Sequence, residues 1–506
     1  MIKKIFRYVI ILLLLLLGLC AIGLLFLFFV PNSSIFGITY IGKKTEFVTQ
    51  GYDLSKVSSI EVNSNAYNVR VVNGTNEDKI SVYVYSDTFG YVLKKNSQVN
   101  LTTKLYSSKL TFTLTEPHGF AYKNNSYVEI RLPKTTDEQS LNLTLNNNSA
   151  KTDVNCKSTN INNLTYKTNS GDLNLNEGTL KGNINLTLNK GNAYFNGGIN
   201  LNNNNLTFSQ TYGDLQTAEG KVLGNITHTS NNTGRVSIGE CAKYTADLGT
   251  AGGQINLGKT TDEVNISSTD THVSIKEAVS TVNINLTKSG SVNIETLSDN
   301  GNANASTIRT ANGKINIGTS KKFLMLRSTG GNVEVGKMYV AVDVVTESGN
   351  VKIAFATDAS EFDANSTTPP YPRKAEIKTK TGNVNITGVE NLNLTISGNG
   401  DANIVFKEVY GKNLIKAATG NITITTPSNG NPAIEAENLH KYYLNASATN
   451  GGNVKINISG FMPVENYKNW ANVVGYLEPK PAADAVPHWL TATVTSGELA
   501  VINNNM

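Results

Sequence analysis

A short phrase recurs along this chain: a small or polar residue, Gly, a polar residue, then apolar–x–apolar. It stands at Gly171-Asp172-Leu173-Asn174-Leu175 and again at Gly349-Asn350-Val351-Lys352-Ile353. The glycines that open its copies are Gly171, Gly191, Gly213, Gly234, Gly253, Gly290, Gly313, Gly331, Gly349, Gly382, Gly400, Gly420 and Gly452. Neighbouring copies lie 20 residues apart from Gly171 to Gly191, 19 from Gly234 to Gly253, 18 from Gly331 to Gly349 and 20 from Gly400 to Gly420. A period near twenty marks stacked repeats, each burying its apolar side against its neighbours, rather than an ordinary globular domain. One copy, Asp270-Thr271-His272-Val273-Ser274-Ile275, keeps the strand and loses the glycine.

Each part of the phrase has a physical reading. Glycine takes the corner, because a positive φ brings it no Cβ clash. Asn or Asp beside it tolerates the left-handed conformation and bonds to local backbone. The apolar–x–apolar triplet is a strand whose first and third residues point inward and whose middle residue meets solvent. The middle residues Asn174, Asn256, Asn293, Asn316, Glu334, Lys352, Asn385, Thr423 and Lys455 are all polar, as this requires. Each buried Val or Ile contributes ~1.5–3 kcal/mol before conformational entropy is counted. The expected fold is all-β: a single-stranded β-solenoid (β-helix) of about 18–22-residue coils, after one N-terminal transmembrane helix. At ~4.8 Å per coil, about fifteen coils would extend on the order of 70 Å.

Residues 1–30 predict a basic cytoplasmic tip and a membrane anchor. Lys3, Lys4 and Arg7 precede an uninterrupted apolar run from Tyr8 to Val30. At ~1.5 Å per residue such a helix spans about 34 Å, enough for a bilayer core. The basic flank predicts a single-pass protein with the N-terminus in the cytoplasm and the rest outside the cell. A cleaved signal peptide would carry a shorter apolar run and an Ala-x-Ala site, and a lipoprotein would carry small residues before Cys20, where Leu19 stands. Residues 31–56 are expected to be a stalk. Residues 57–150 are expected to be a β region capping the solenoid, with strict alternation at Ile80-Ser81-Val82-Tyr83-Val84 and Tyr127-Val128-Glu129-Ile130-Arg131-Leu132. Residues 151–460 carry the repeats, and 461–506 are expected to cover the last coil as a C-terminal cap. That end holds Trp470 and Trp489, the only tryptophans of the chain. Insertions are placed at 357–376, 425–447 and 461–495, the first around Pro369-Pro370-Tyr371-Pro372.

Composition narrows the function. Charged residues are 16% of the chain and the formal charge is only +5, with no basic run interleaved with aromatics beyond the N-terminus, so nucleic acid is not an expected partner. Cys156 and Cys241 are expected to be free thiols several coils apart. His118, His228, His272, His440 and His488 are scattered without ligand spacing, so no metal site is expected, and no cofactor motif is present. Asp172, Asp214 and Asp401 occupy the turn position and are expected to form turns rather than catalyse. Glu334 and Lys352 are expected to be an ordinary cross-strand pair. The Asn-x-Ser/Thr sequons follow from an Asn- and Thr-rich composition.

Ser59-Ile60-Glu61-Val62, Tyr67-Asn68-Val69-Arg70-Val71 and Val128-Glu129-Ile130-Arg131-Leu132-Pro133 join the serial Ser170-Gly171-Asp172-Leu173, Ser348-Gly349-Asn350-Val351 and Thr381-Gly382-Asn383-Val384. Together they make the chain resemble the bacterial putative-adhesin family of β-solenoid domains. The resemblance implies a surface-exposed scaffold without known catalysis. The expected function is therefore a membrane-anchored extracellular binding protein, not an enzyme, whose partners are the lipid bilayer and glycans, wall polymers or surface proteins. Tyr371, Tyr442 and Tyr443 are the candidate stacking platforms for such a ligand. A self-associating spacer of the envelope is the alternative, and a polysaccharide-processing enzyme the remote one.

Overall fold

The computed structural model describes residues 2–29, 34–35, 38–41, 44–48, 51–65, 67–74, 79–93, 100–115, 119–124, 126–136, 138–201, 203–230, 234–249, 252–301, 304–356, 373–427, 442–450, 452–458, 461–463, 472–477 and 488–503. Apart from the helix Ile2–Phe29 and a short 3-10 turn at Leu54–Lys56, its regular elements are strands. Within the helix, Lys4–Gly23 has a mean hydropathy of 2.8, and its 20 residues are long and apolar enough to cross a membrane. Val30, the expected end of the apolar run, lies outside the described residues. The chain divides into two compact units, Met1–Thr227 and His228–Met506.

In the first unit the parallel pairing begins well before the regular glycine phrase. Ser59–Ser64 pairs in parallel with Leu141–Asn147, and Asn68–Asn73 with Thr152–Thr168. The region expected to cap the repeats thus supplies strands to the ladder itself. Antiparallel strands flank them: Asn100–Tyr106 on Lys109–Thr115, and Lys79–Leu93 on Tyr127–Leu132. Beyond this start each strand pairs with the strand two further along, as Leu173–Leu180 does with Ala193–Leu201, and Ile184–Leu188 with Asn204–Gln210.

The second unit repeats that rule. Val333 pairs with Val351, Leu324 with Val342, and Asn283 with Thr307, offsets of 18, 18 and 24 residues. The glycine phrase accounts for only one of two strands in each repeat. The other, such as Leu324–Ser328 or Val342–Thr346, carries no glycine but alternates in the same way. Its inward residues Leu324, Leu326, Val342 and Val344 join Val333, Val335, Val351 and Ile353 in the core, all at 0–1% exposure.

At the C-terminal end spatial order departs from chain order. His488–Ser496 pairs in parallel with Lys412–Thr419 on one side and with Tyr442–Ala448 on the other. Glu498–Asn503 likewise lies between Ile422–Thr426 and Asn453–Asn457. Residues 488–503, expected to belong to a cap, are therefore a repeat inserted between two earlier ones. Their alternating Leu490, Ala492, Val494, Leu499 and Val501 are fully buried, and parallel strands with both edges paired satisfy more backbone than an end position would. The antiparallel pair Asn472–Leu477 and Phe461–Pro463 follows beyond Tyr442–Ala448.

Candidate functional site

The corners show why glycine recurs. A Cβ on Gly382 would lie 2.6 Å from the carbonyl oxygen of Gly349, and one on Gly253 2.5 Å from that of Gly234. Gly191, Gly213, Gly313, Gly331, Gly349, Gly400 and Gly420 meet the same obstacle, the carbonyl of the glycine one repeat earlier. At Gly171 the obstacle is the Ala150 carbonyl, at Gly290 that of Thr271, and at Gly452 that of Gly497. Positive φ, the expected reason, holds at Gly213, Gly253, Gly382, Gly420 and Gly497 but not at the other phrase glycines described. Close stacking of corner on corner is the more general cause.

Asn or Asp after the glycine ties neighbouring repeats together. Oδ1 of Asp172 accepts the N–H of Asn192 at 2.8 Å, and Oδ1 of Asn192 accepts that of Asp214 at 2.8 Å. In the second unit Asn332, Asn350, Asn383 and Asp401 accept in turn from Asn350 (2.9 Å), Asn383 (2.8 Å), Asp401 (3.0 Å) and Asn421 (2.8 Å). The carboxylates of Asp172 and Asp401 thus hold backbone donors, which is a structural task. A third device escaped the sequence reading: a buried hydroxyl three residues before the glycine. Thr168, Ser328 and Thr346 accept the N–H groups of Gly171, Gly331 and Gly349 at 2.7, 2.9 and 3.0 Å. Its signal was present as Thr/Ser-x-x-Gly.

The outward strand positions form files of amides and hydroxyls. Asn283 donates to Asn265 at 2.9 Å, Asn316 to Asn293 at 2.6 Å, and Asn146 to Asn63 at 2.8 Å. A carboxamide has two donor hydrogens and two acceptor lone pairs, so one bond to each ladder neighbour leaves capacity for an outside partner. In the second unit Thr245, Asn265, Asn283 and Thr307 stand in one file, with Asp247, Ser267, Asn285 and Arg309 beside them. They line an open depression of about 530 Å³. The first unit has a comparable depression of about 520 Å³, lined by Asn65, Asn146, Asn148, Lys167, Asn169 and Thr187 among others. Glu334 pairs with Lys352 at 3.2 Å and also with Lys314 at 2.8 Å; hydrogen bonds from these lysines hold its carboxyl below the usual range.

The aromatic candidates fall in different places. Tyr442 is 3% exposed and offers no platform. Tyr443, on the opposite strand face, stacks on Trp489 with ring centroids 4.7 Å apart. Tyr371 lies outside the described residues, as do Trp470, His118 and His440. Tyr410 lies 5.2 Å from His488, whose Nδ1 accepts the N–H of Gly411 at 2.7 Å. Cys156 and Cys241 are free and buried, and burial pushes both thiols up to about 12.

His228 is buried beside Tyr244, its Nδ1 2.8 Å from the phenol oxygen, and burial pushes the imidazole down to about 3. An unfolded chain binds this proton below pH ~6.5 while the folded chain does not, so the stability from a neutral His228 is full above ~6.5 and declines toward pH 3. At pH 5 the loss is about 2 kcal/mol. Urea unfolding at pH 7 and pH 5 checks this: the decline is expected to shrink by about that amount in His228→Gln, and an equal decline in both proteins would refute it.

Residues 57–353, more than half of the chain, match the family described as Toastrack DUF4097. This chain belongs to that family. Among solved structures, this Toastrack chain is similar to a "putative cell adhesion protein" from Clostridium sporogenes, at 7% identity over 91% of this chain and 100% of that one, with a TM-score of 0.15. It is also similar to a "putative adhesin" from Parabacteroides distasonis (14% identity; 68% and 98% covered; TM-score 0.16) and to one from Bacteroides fragilis (10%; 74% and 100%; 0.17). None of the curated proteins matches this chain.

Proposed function

We propose that this Toastrack protein is a membrane-anchored, cell-surface binding protein, adhesin-like and without catalytic activity. The observation that carries this is the outward files of amides and hydroxyls, held in register over successive ladder steps as in Thr245, Asn265, Asn283 and Thr307. Such files suit many weak polar contacts with a hydroxyl-rich partner, a glycan or wall polymer. The repeating unit of the surface is a coil of about 18–22 residues, lengthened where an offset exceeds it. The helix Ile2–Phe29 is the anchor, and Lys3, Lys4 and Arg7 at its start favour a cytoplasmic N-terminus with the β units outside. The turn carboxylates Asp172 and Asp401 accept backbone hydrogen bonds from the next repeat, which supports a structural role for them.

The test is the full-length protein in lipid nanodiscs, applied to arrays of glycans and isolated wall polymers. Saturable binding to at least one glycan class is expected. Absence of binding to every glycan and polymer would overturn the proposal.

A further inference from the structure

The depression lined by Asn265, Asn283, Asn285 and Thr307 ends on an unusual pair. Arg309 stands directly opposite Arg327 in the parallel ladder. Adjacent strands lie ~4.8 Å apart, and like charges placed opposite each other repel. Arg327 is settled: its Nη2 donates to Asp343 at 2.6 Å, and its Nη1 to the carbonyls of Leu326 and Asp343, both at 3.1 Å. Arg309 is exposed and has no carboxylate partner among the described residues. The same file continues through Val345 to Lys378, itself paired with Glu376 at 2.9 Å. Arg309 is thus a planar, permanently charged fork at the edge of a polar depression, and its ladder neighbour Arg327 is already paired with Asp343.

We infer that this depression binds an acidic polysaccharide, with Arg309 taking the carboxylate of a uronic-acid unit and the Asn265–Asn283 file bonding the hydroxyls of its neighbours. A guanidinium donates two parallel, charge-assisted N–H···O bonds to a carboxylate, and a neutral sugar offers no anionic acceptor for them. The opposite end of the depression carries Asp247, three ladder steps from Arg309, or ~14 Å. That carboxylate disfavours an anion at its own end and so places the charged unit at the Arg309 end. The inference rests on the binding function proposed above and adds to it the chemical class of ligand.

Polygalacturonate and its fully methyl-esterified form share a backbone and differ in charge, so they separate the two claims. With full-length protein in nanodiscs at low salt, polygalacturonate is expected to bind at least about tenfold tighter than the ester. Arg309→Gln is expected to bring that preference below about threefold, Arg309→Lys to retain part of it, and Asp247→Asn to keep or increase it. Arg309 is exposed, so an unchanged thermal midpoint in Arg309→Gln confirms that the fold is intact. Equal binding of the two polymers by the wild type, or an undiminished preference in Arg309→Gln, overturns the inference. If only neutral glycans bind, the inference falls and the binding function stands; if no glycan binds at all, both fall.

Discussion

Ile353→Asp is expected to remove roughly 4 kcal/mol or more of stability. Ile353 is 1% exposed and lies in register between Val335 on one side and Ile386 on the other. A carboxylate there would stand between aliphatic side chains, shut off from solvent. The group would either stay charged in an apolar surround or take up a proton at the expense of a strongly raised pKa, and both routes favour the unfolded chain. The loss also removes the aliphatic contact that two neighbouring repeats share, and in a stack where each repeat depends on its neighbours the damage spreads along the ladder. Lys352→Ala, one residue away and outward, is the control: it removes an exposed ion pair with Glu334 and is expected to cost under about 1 kcal/mol. Urea unfolding followed by circular dichroism measures both. Equal midpoints for the two variants would mean that Ile353 faces water and that the register of Val335, Ile353 and Ile386 is wrong.

That parity of in and out was legible wherever a glycine phrase set the phase. The phrase alone dictates the faces of Val351, Lys352 and Ile353, and the Glu334–Lys352 pair follows from it. Where no glycine sets the phase, alternation does not say which set is inside. Tyr442 and Tyr443 were equally good candidates in sequence, yet successive residues of a strand point to opposite faces, so only one could be exposed. The second strand of each repeat alternates too, as Leu324-Met325-Leu326-Arg327-Ser328 shows, but without a corner residue nothing tied it to the period. The pairing of Arg309 with Arg327 becomes readable only once that strand and its offset of 18 are known.

The order of the last repeats was hidden for a different reason. Ser496-Gly497-Glu498-Leu499-Ala500-Val501 carries the phrase in full, but consecutive elements usually lie side by side, and the chain here does not obey. Parallel pairing requires matched register and says nothing about chain order. Gly497 therefore stacks on Gly420, and Gly452 on Gly497, while Trp489 enters the ladder beside Tyr443 rather than covering its end.

Gly349→Val is expected to cost about 3 kcal/mol, with most of the loss already present in Gly349→Ala. The first added carbon collides with the carbonyl oxygen of Gly331 and would lie 3.2 Å from the amide nitrogen of Asn332. Both are backbone atoms of the preceding repeat. Neither can move aside as a flexible side chain would, because Gly331 is held by its bond to Ser328, and Asn332 by its bond to the N–H of Asn350. Turn strain does not explain the cost, since Gly349 is not among the positive-φ residues. Gly301 gives the opposite case: its φ is +80°, and an added Cβ meets nothing within 4 Å. Gly301→Ala therefore carries only the left-handed penalty of about 1 kcal/mol. Denaturant unfolding of the three variants separates the causes. The Gly349 variants should lose two to three times as much stability as Gly301→Ala. Equal losses would make backbone conformation, rather than the packing of corner on corner, the reason glycine returns in each repeat.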